Sequence, residues 1–254
     1  MPVMDEFKEE RAALKNAGFK AKWNYFWDYY KLPVAVTAIA IVLITTLVVQ
    51  IMQRKDTALF VAMINGGSLQ PDAAPYIEEF CEYADIDTAK STALFDTTMY
   101  IDFNNLNDIT KSSLEKMMVY VAAQEVDAVI TAPDMFEYYG YGPTFIDLRE
   151  FLTEEQIAKY EPYFYYIDQA IVLEKEKQQD AMNYEYVPEY PADPGDPSTM
   201  QDPIPVGIYL KDNAETFLDN YYISGGEPIV GVIVNTIRPE MTSKFIDFIF
   251  QDME

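Results

Sequence analysis

"KWNYFWDYYKLPVAVTAIAIVLITTLVVQIMQRK", residues 22–55, decides how everything around it is read. Six aromatic residues fill the eight positions Trp23 to Tyr30, and no charged side chain occurs from Leu32 to Met52. At roughly 1.5 Å per residue that uncharged run spans about 31 Å, the hydrocarbon thickness of a bilayer. Its polar interruptions are Thr37, Thr45, Thr46 and Gln50, and threonine hydroxyls can bond back to their own helix. Pro33 is expected in the first helical turn, where its missing N–H costs nothing. The aromatic residues suit the membrane–water interface, with apolar rings and wet tips. A core helix of a soluble domain rarely runs so long without a charge between basic flanks. A cleaved export signal would be shorter and nearer the start. No small-x-small site follows Met52, and Cys81 lies too far on for lipidation. The expectation is an uncleaved signal anchor.

Lys15, Lys20, Lys22 and Lys31 precede the run, and Arg54 and Lys55 follow it. The excess of basic residues before the span places the N-terminus inside the cell. The resulting layout is a cytoplasmic, juxtamembrane amphipathic helix over 1–31, a transmembrane helix over 32–53, and an extracellular α/β domain over 54–254. The protein is then a single-pass protein of the cell membrane, and its first partner is the lipid bilayer. Only five of the 42 acidic residues precede the span, so the exterior part is strongly anionic.

That acidity, a formal charge of −24, disfavours nucleic acid as a partner. Aromatic residues are abundant, with 20 Tyr and 15 Phe, which argues against disorder. One cysteine allows no internal disulfide, and Cys81 in "YIEEFCEYA" reads as a small core residue. The chain has no histidine. It therefore lacks the commonest general base and zinc ligand, and every Ser-His or Cys-His dyad. No cofactor and no metal set is called for.

Along the chain, 5–22 reads as a short charged helix, and Phe19, Trp23, Phe26, Trp27 and Tyr30 line one face of the helix that follows. Beyond the span, strands are expected at 57–64, 91–102, 126–132, 163–175, 205–210 and 227–235. Helices are expected at 71–86, 107–124, 133–142, 145–160, 213–223 and 239–253. Residues 65–68, "NGGS", read as a turn, and the proline-rich 185–205 as a loop. Asp108 or Thr110 is the expected cap of the 107–124 helix and Thr153 that of the helix before Tyr160. Strands spaced by helices imply one α/β domain built on a doubly wound, mostly parallel sheet.

Three segments together resemble the extracellular solute-binding proteins of ABC importers, the type II periplasmic-binding-protein fold. They are "QEVDAVITAPDMFEYYGYGPTFIDLREFL", the turn into "IPVGIYL", and the closing "EPIVGVIVNTIRPEMTSKFIDFIFQDME". "YFWDYYK" followed by a span also resembles single-pass membrane proteins of Gram-positive bacteria. Members of the importer family have two lobes with the solute between them. This chain is too short for the second, so the resemblance implies a single lobe with a small insertion. It also implies a non-enzymatic role in binding, sensing or assembly at the cell surface, with a small solute as a partner. An accessory subunit of a membrane transporter or envelope complex stays open, as does a carboxylate-based hydrolase, although no paired carboxylate stands out.

Ligands of doubly wound sheets meet the carboxyl ends of the strands. The candidate ligand-binding residues are therefore Asn65, Gly66, Gly67 and Ser68 after the first strand, Thr131 and Asp134 around the third, and Asn235 after the last. The glycines of 65–68 could present N–H groups to an anion or serve only a turn. Asp134 could bind a polar solute or cap its helix. Asp193, Asp196 and Asp202 offer oxygen ligands without EF-hand spacing. The tyrosine clusters Tyr138-Tyr139-Tyr141 and Tyr163-Tyr165-Tyr166 could stack sugars or a partner, or form core and rim.

Overall fold

In the structure, a computed structural model that describes residues 18–71, 74–183 and 185–253, the apolar run belongs to one long helix. Helix α1 spans Phe19–Gln53, 35 residues, about 52 Å at 1.5 Å per residue. Its stretch Tyr30–Gln53 has a mean hydropathy of 2.6, and none of the apolar window is buried. By length and composition this helix can cross a membrane. Phe19, Trp23, Phe26, Trp27 and Tyr30 recur at i, i+3 and i+4, and their rings stack along one face at centroid spacings of 5.7–6.3 Å. Pro33 lies inside the helix rather than in its first turn, because the aromatic segment before it is helical too. The carbonyl four residues earlier therefore loses its N–H partner. The charged helix expected over 5–22 falls, up to residue 17, outside the described residues.

Residues 55–254 form a separate unit. Its strands are β1 (Asp56–Met63), β2 (Gly66–Ser68), β3 (Ser91–Asp96), β4 (Ala128–Thr131), β5 (Phe164–Asp168), β6 (Pro203–Tyr209), β7 (Tyr221–Ile223) and β8 (Ile229–Val232). Its helices are α2 (Ala74–Tyr83), α3 (Asp108–Ala122), α4 (Pro133–Gly140), α5 (Leu148–Phe151), α6 (Glu154–Tyr160), α7 (Gln169–Asp180), α8 (Glu215–Asn220) and α9 (Pro239–Ile249). Six strands make one sheet in the order β3-β1-β4-β8-β6-β5, and β2 pairs with β7 in a separate ribbon.

The sheet is mixed, not mostly parallel. β1 is parallel to β3 and β4, but β8 is antiparallel to β4, β6 to β8, and β5 to β6. The connections explain this. After β5 the chain runs through α7 and the proline-rich loop and re-enters beside the residue it left, Asp168 facing Pro203. A chain that re-enters at the end it left must run antiparallel. Residues 160–226 thus extend the same sheet and the small ribbon. The 163–175 stretch, expected as strand, divides into β5 and the start of α7. β3 ends at Asp96, well before the expected 102. The cap of α3 is Asn107, whose side chain accepts the Thr110 N–H at 2.9 Å. Thr153 and Gln156 cap α6 reciprocally.

Strand periodicity sends alternate side chains to two cores. Leu59, Val61, Met63, Ala128 and Ile130 face α2, α6, α8 and α9, and there meet Phe80, Tyr160, Phe217, Phe245 and Phe248. Cys81 is buried in this core. Ala62, Ile64, Val129 and Ile229 face α3 and α4, and there meet Met117, Met135 and Phe136. Helices cover both faces, as a doubly wound sheet requires. Gly207 and Gly231 stand opposite each other on β6 and β8, and Phe136 fills the slot they leave. A Cβ on Gly231 would lie 2.8 Å from both Phe136 and Phe145. The two phenylalanine rings stack at 4.5 Å.

Candidate functional site

The carboxyl ends of β1 and β4 are covered rather than open. Asn65 has φ 57°, a left-handed conformation that asparagine tolerates. Its amide donates to the Ile101 carbonyl and accepts the Ile101 N–H, both at 2.8 Å. Its own carbonyl accepts the Ser224 N–H at 2.9 Å. Gly66, Gly67 and Ser68 are strand β2, paired with Ile223, Tyr222 and Tyr221. The Tyr222 ring lies where a Cβ on Gly67 would be, 2.8 Å away, so the glycine admits the ring. Thr131 is fully buried, and its hydroxyl has no hydrogen-bond partner among the described residues. Gly225, at φ +111°, packs against Ala132. Asp134 accepts the Met135 N–H at 2.7 Å, at the N-terminus of α4. These six candidates share one end of the sheet, where Gly66, Gly67 and Ser68 belong to the β2–β7 ribbon itself.

Asn235 does not join them. β8 runs antiparallel to β4, so its carboxyl end lies at the opposite end of the sheet. There the Asn235 amide donates to the Val121 carbonyl at 2.8 Å. Beside it, Asp127, wholly buried, accepts the Phe60 N–H and the Arg238 Nε–H at 2.8 Å and the Thr236 hydroxyl at 2.5 Å. Arg238 also donates to the Glu125 carbonyl. This network ties β1, β4 and the chain before α9 together.

An open groove of about 500 Å³ lies between α4 and α7. One wall comes from the end of α4 and the turn after it, with Tyr138, Tyr139, Tyr141, Pro143 and Thr144. The other comes from Val172, Lys175, Glu176 and Gln179. Their spacing, i, i+3, i+4 and i+7, is one face of a helix. Lys175 joins the walls. Its ammonium donates to the Tyr141 carbonyl at 3.0 Å and to the Tyr190 hydroxyl at 3.3 Å. It also stands 5.9 Å and 5.8 Å from the Tyr141 and Tyr190 ring centroids, which themselves stack at 4.1 Å. Cation–π attraction and two hydrogen bonds thus hold the same side chain.

Tyr190 belongs to the proline-rich loop, so the loop is pinned to the groove. Asp168 pins it again. Its carboxylate accepts N–H groups from Ala170, Gln201 and Asp202 at 2.8–3.0 Å. Asp193 and Asp196 accept N–H groups two residues on, from Gly195 and Ser198, and so act as turn caps. Among the described residues no three acidic, histidine or cysteine side chains converge as metal ligands.

Electrostatics beside the groove follow from burial. Burial, then the Asp134 carboxylate, pushes Glu137 above the usual carboxylate range, while Lys175 opposes the rise. Burial also raises Tyr139, and takes Tyr141 up to about 12 against the opposing Asp168 N–H. Tyr138 remains exposed and Tyr139 half-buried, whereas Tyr165 of the second cluster is core. A second cleft, of about 480 Å³, includes Tyr83, Gln156, Lys159 and Asp247. The Asp247 carboxylate there already accepts the Tyr160 hydroxyl at 2.7 Å and the Gln156 amide at 3.0 Å, which leaves Asp247 little capacity for a ligand.

The tyrosine cluster of α4 was visible in the sequence. Lys175, Glu176, Gln179 and Tyr190 were not singled out there. The i, i+3, i+4, i+7 spacing on α7 was the local signal for the first three, and Tyr190, in the loop, had none. No protein-family model, curated protein or solved structure matches the chain.

Proposed function

We propose that the chain is a membrane-anchored surface protein. Its acidic, single-lobe α/β domain acts outside the cell as a non-enzymatic binding, sensing or assembly module, a reduced relative of solute-binding proteins. The observation that carries this reading is the helix Tyr30–Gln53, apolar over its length and unburied. Such a surface is stable only where it leaves water, and a bilayer satisfies that along the whole length. The basic residues before it favour an N-terminus inside. The groove of α4 and α7 supports a binding role. With a single sheet in place of two lobes, capture by closing two lobes on a solute has no partner lobe, so binding occurs on a preformed surface.

The test is topology. With Cys81→Ser removing the native thiol, Lys20→Cys and the exposed Ala181→Cys are treated on intact cells with a membrane-impermeant maleimide. Ala181→Cys is expected to label on intact cells and Lys20→Cys only after permeabilisation. The reverse pattern, or recovery of the protein without membranes, overturns the proposal.

The second reading, an accessory subunit of a transporter or envelope complex, draws on a shallow apolar groove along α1. It is lined by Ile41, Val42, Thr45, Thr46 and Val49. Thr46 spends its hydroxyl on the Val42 and Leu43 carbonyls, so that face offers packing rather than hydrogen bonds. Co-purification of a membrane protein that is lost when the span is replaced by polyleucine would favour it.

A further inference from the structure

We propose that the groove between α4 and α7 binds a short neutral oligosaccharide, a ligand class that rests on the reading of the domain as an extracellular binding module. The size fits, since about 500 Å³ falls within the roughly 300–1,000 Å³ of small-molecule sites. The wall chemistry narrows the class. Tyr138 offers a solvent-facing ring, held at 4.7 Å from Phe103 and 5.1 Å from Tyr139. A fixed aromatic plate suits the apolar C–H face of a pyranose. Thr144 on the same wall and Gln179 on the other are each both donor and acceptor, with Lys175 as donor and Glu176 as acceptor beside Gln179. Ligand hydroxyls, themselves donors and acceptors, match this mixture.

The opposed charges of Lys175 and Glu176 favour a neutral ligand. A cation would face the Lys175 ammonium, which disfavours use of the tyrosines as a cage for quaternary amines. An anion would face Glu176 and the field of a chain with net charge −24. Lys175 is already oriented by Tyr141 and Tyr190, so one wall is ordered before any ligand arrives. Its third N–H can serve a ligand oxygen.

The full-length protein is titrated calorimetrically in amine-oxide micelles, whose head groups carry no competing sugar. The probes are maltotriose, cellotriose, chitotriose and mannotriose, with trigalacturonate as the charged control. At least one neutral trisaccharide is expected to bind saturably. Tyr138→Ala is expected to weaken it about tenfold or more, and Gln179→Ala to weaken it measurably, both with an unchanged thermal midpoint. Trigalacturonate is expected to bind at least about tenfold more weakly than the best neutral sugar. Absence of saturation with all four neutral sugars at about 10 mM overturns the proposal. So does binding indifferent to Tyr138→Ala, or preference for the charged sugar. If Ala181→Cys labels from outside and no sugar binds, the ligand class fails while the surface-protein reading stands. If Ala181→Cys is reachable only from inside, that reading falls whatever the calorimetry shows.

Discussion

Asp127 is a carboxylate held where water does not reach, and three donors replace its hydration: a main-chain N–H, the Thr236 hydroxyl and the Arg238 guanidinium. Arg238 itself keeps only 18% of its side-chain surface exposed. Removing one partner of such a pair leaves a buried charge uncompensated, which costs about 3–5 kcal/mol. Arg238→Met keeps the volume and the apolar stem, so it isolates the charge. Urea unfolding followed by near-ultraviolet circular dichroism is the right measurement, because both tryptophans lie in α1 and the domain carries only tyrosine and phenylalanine as chromophores. A loss of about 3 kcal/mol with an unchanged urea dependence is expected. A loss below about 1 kcal/mol would show the pair to be solvated. Neither Asp127 nor Arg238 stood out in the sequence, because 111 positions separate them and only the sheet brings them together. The same distance effect hid Lys175 and Tyr190 from Tyr141. The cluster Tyr138-Tyr139-Tyr141 was legible because a single helix end displays it.

The long, strongly patterned elements were legible. The long apolar helix, the buried strand β4, the capped helix α6 and the amphipathic α9 appear where local composition calls for them, although the apolar helix starts earlier, at Phe19. Strand direction was not legible, because an apolar run reads alike in both senses and only the connections decide it. The short strands β2 and β7 were hidden as well. Their pairing is set by neighbours about 155 residues away, against the usual preference of glycine for turns. The glycines of β6 and β8 carry a clearer message. Gly207 and Gly231 are small because Phe136 must reach the sheet between them. Gly231→Ala adds one methyl group into that contact, and overpacking of this kind costs about 1–3 kcal/mol. The same measurement should show that loss, and Gly231→Ala combined with Phe136→Leu should lose less than the sum of the two single changes. Strict additivity would mean that Phe136 does not occupy the slot.

At the scale of the whole molecule, tyrosine burial makes alkali the condition that unfolds the domain. Burial raises Tyr76, Tyr139, Tyr160 and Tyr165 far above the ordinary phenol value, and takes Tyr141, Tyr209 and Tyr221 up to about 12. In the unfolded chain each titrates near about 10. Above that pH the native state therefore binds more protons than the unfolded state, and stability falls as pH rises. Each ionised phenolate also adds negative charge to a chain already at −24, which increases self-repulsion. Above the gradual absorbance of solvent-exposed tyrosines, the tyrosinate absorbance of the buried ones should therefore appear together with loss of the near-ultraviolet signal, in one cooperative step above about pH 10. Tyr76 offers the decisive variant. Its ring packs at 5.1–6.2 Å from Phe95, Phe217, Tyr221 and Phe248. Its hydroxyl has no hydrogen-bond partner among the described residues. Tyr76→Phe removes a titrating group without breaking a bond, so it should be neutral or stabilising at pH 7 and should move the alkaline midpoint upward. Ionisation of all 20 tyrosines with the folded signal intact would mean that these rings are reached by solvent in the native state, and the account of both cores would fail with it.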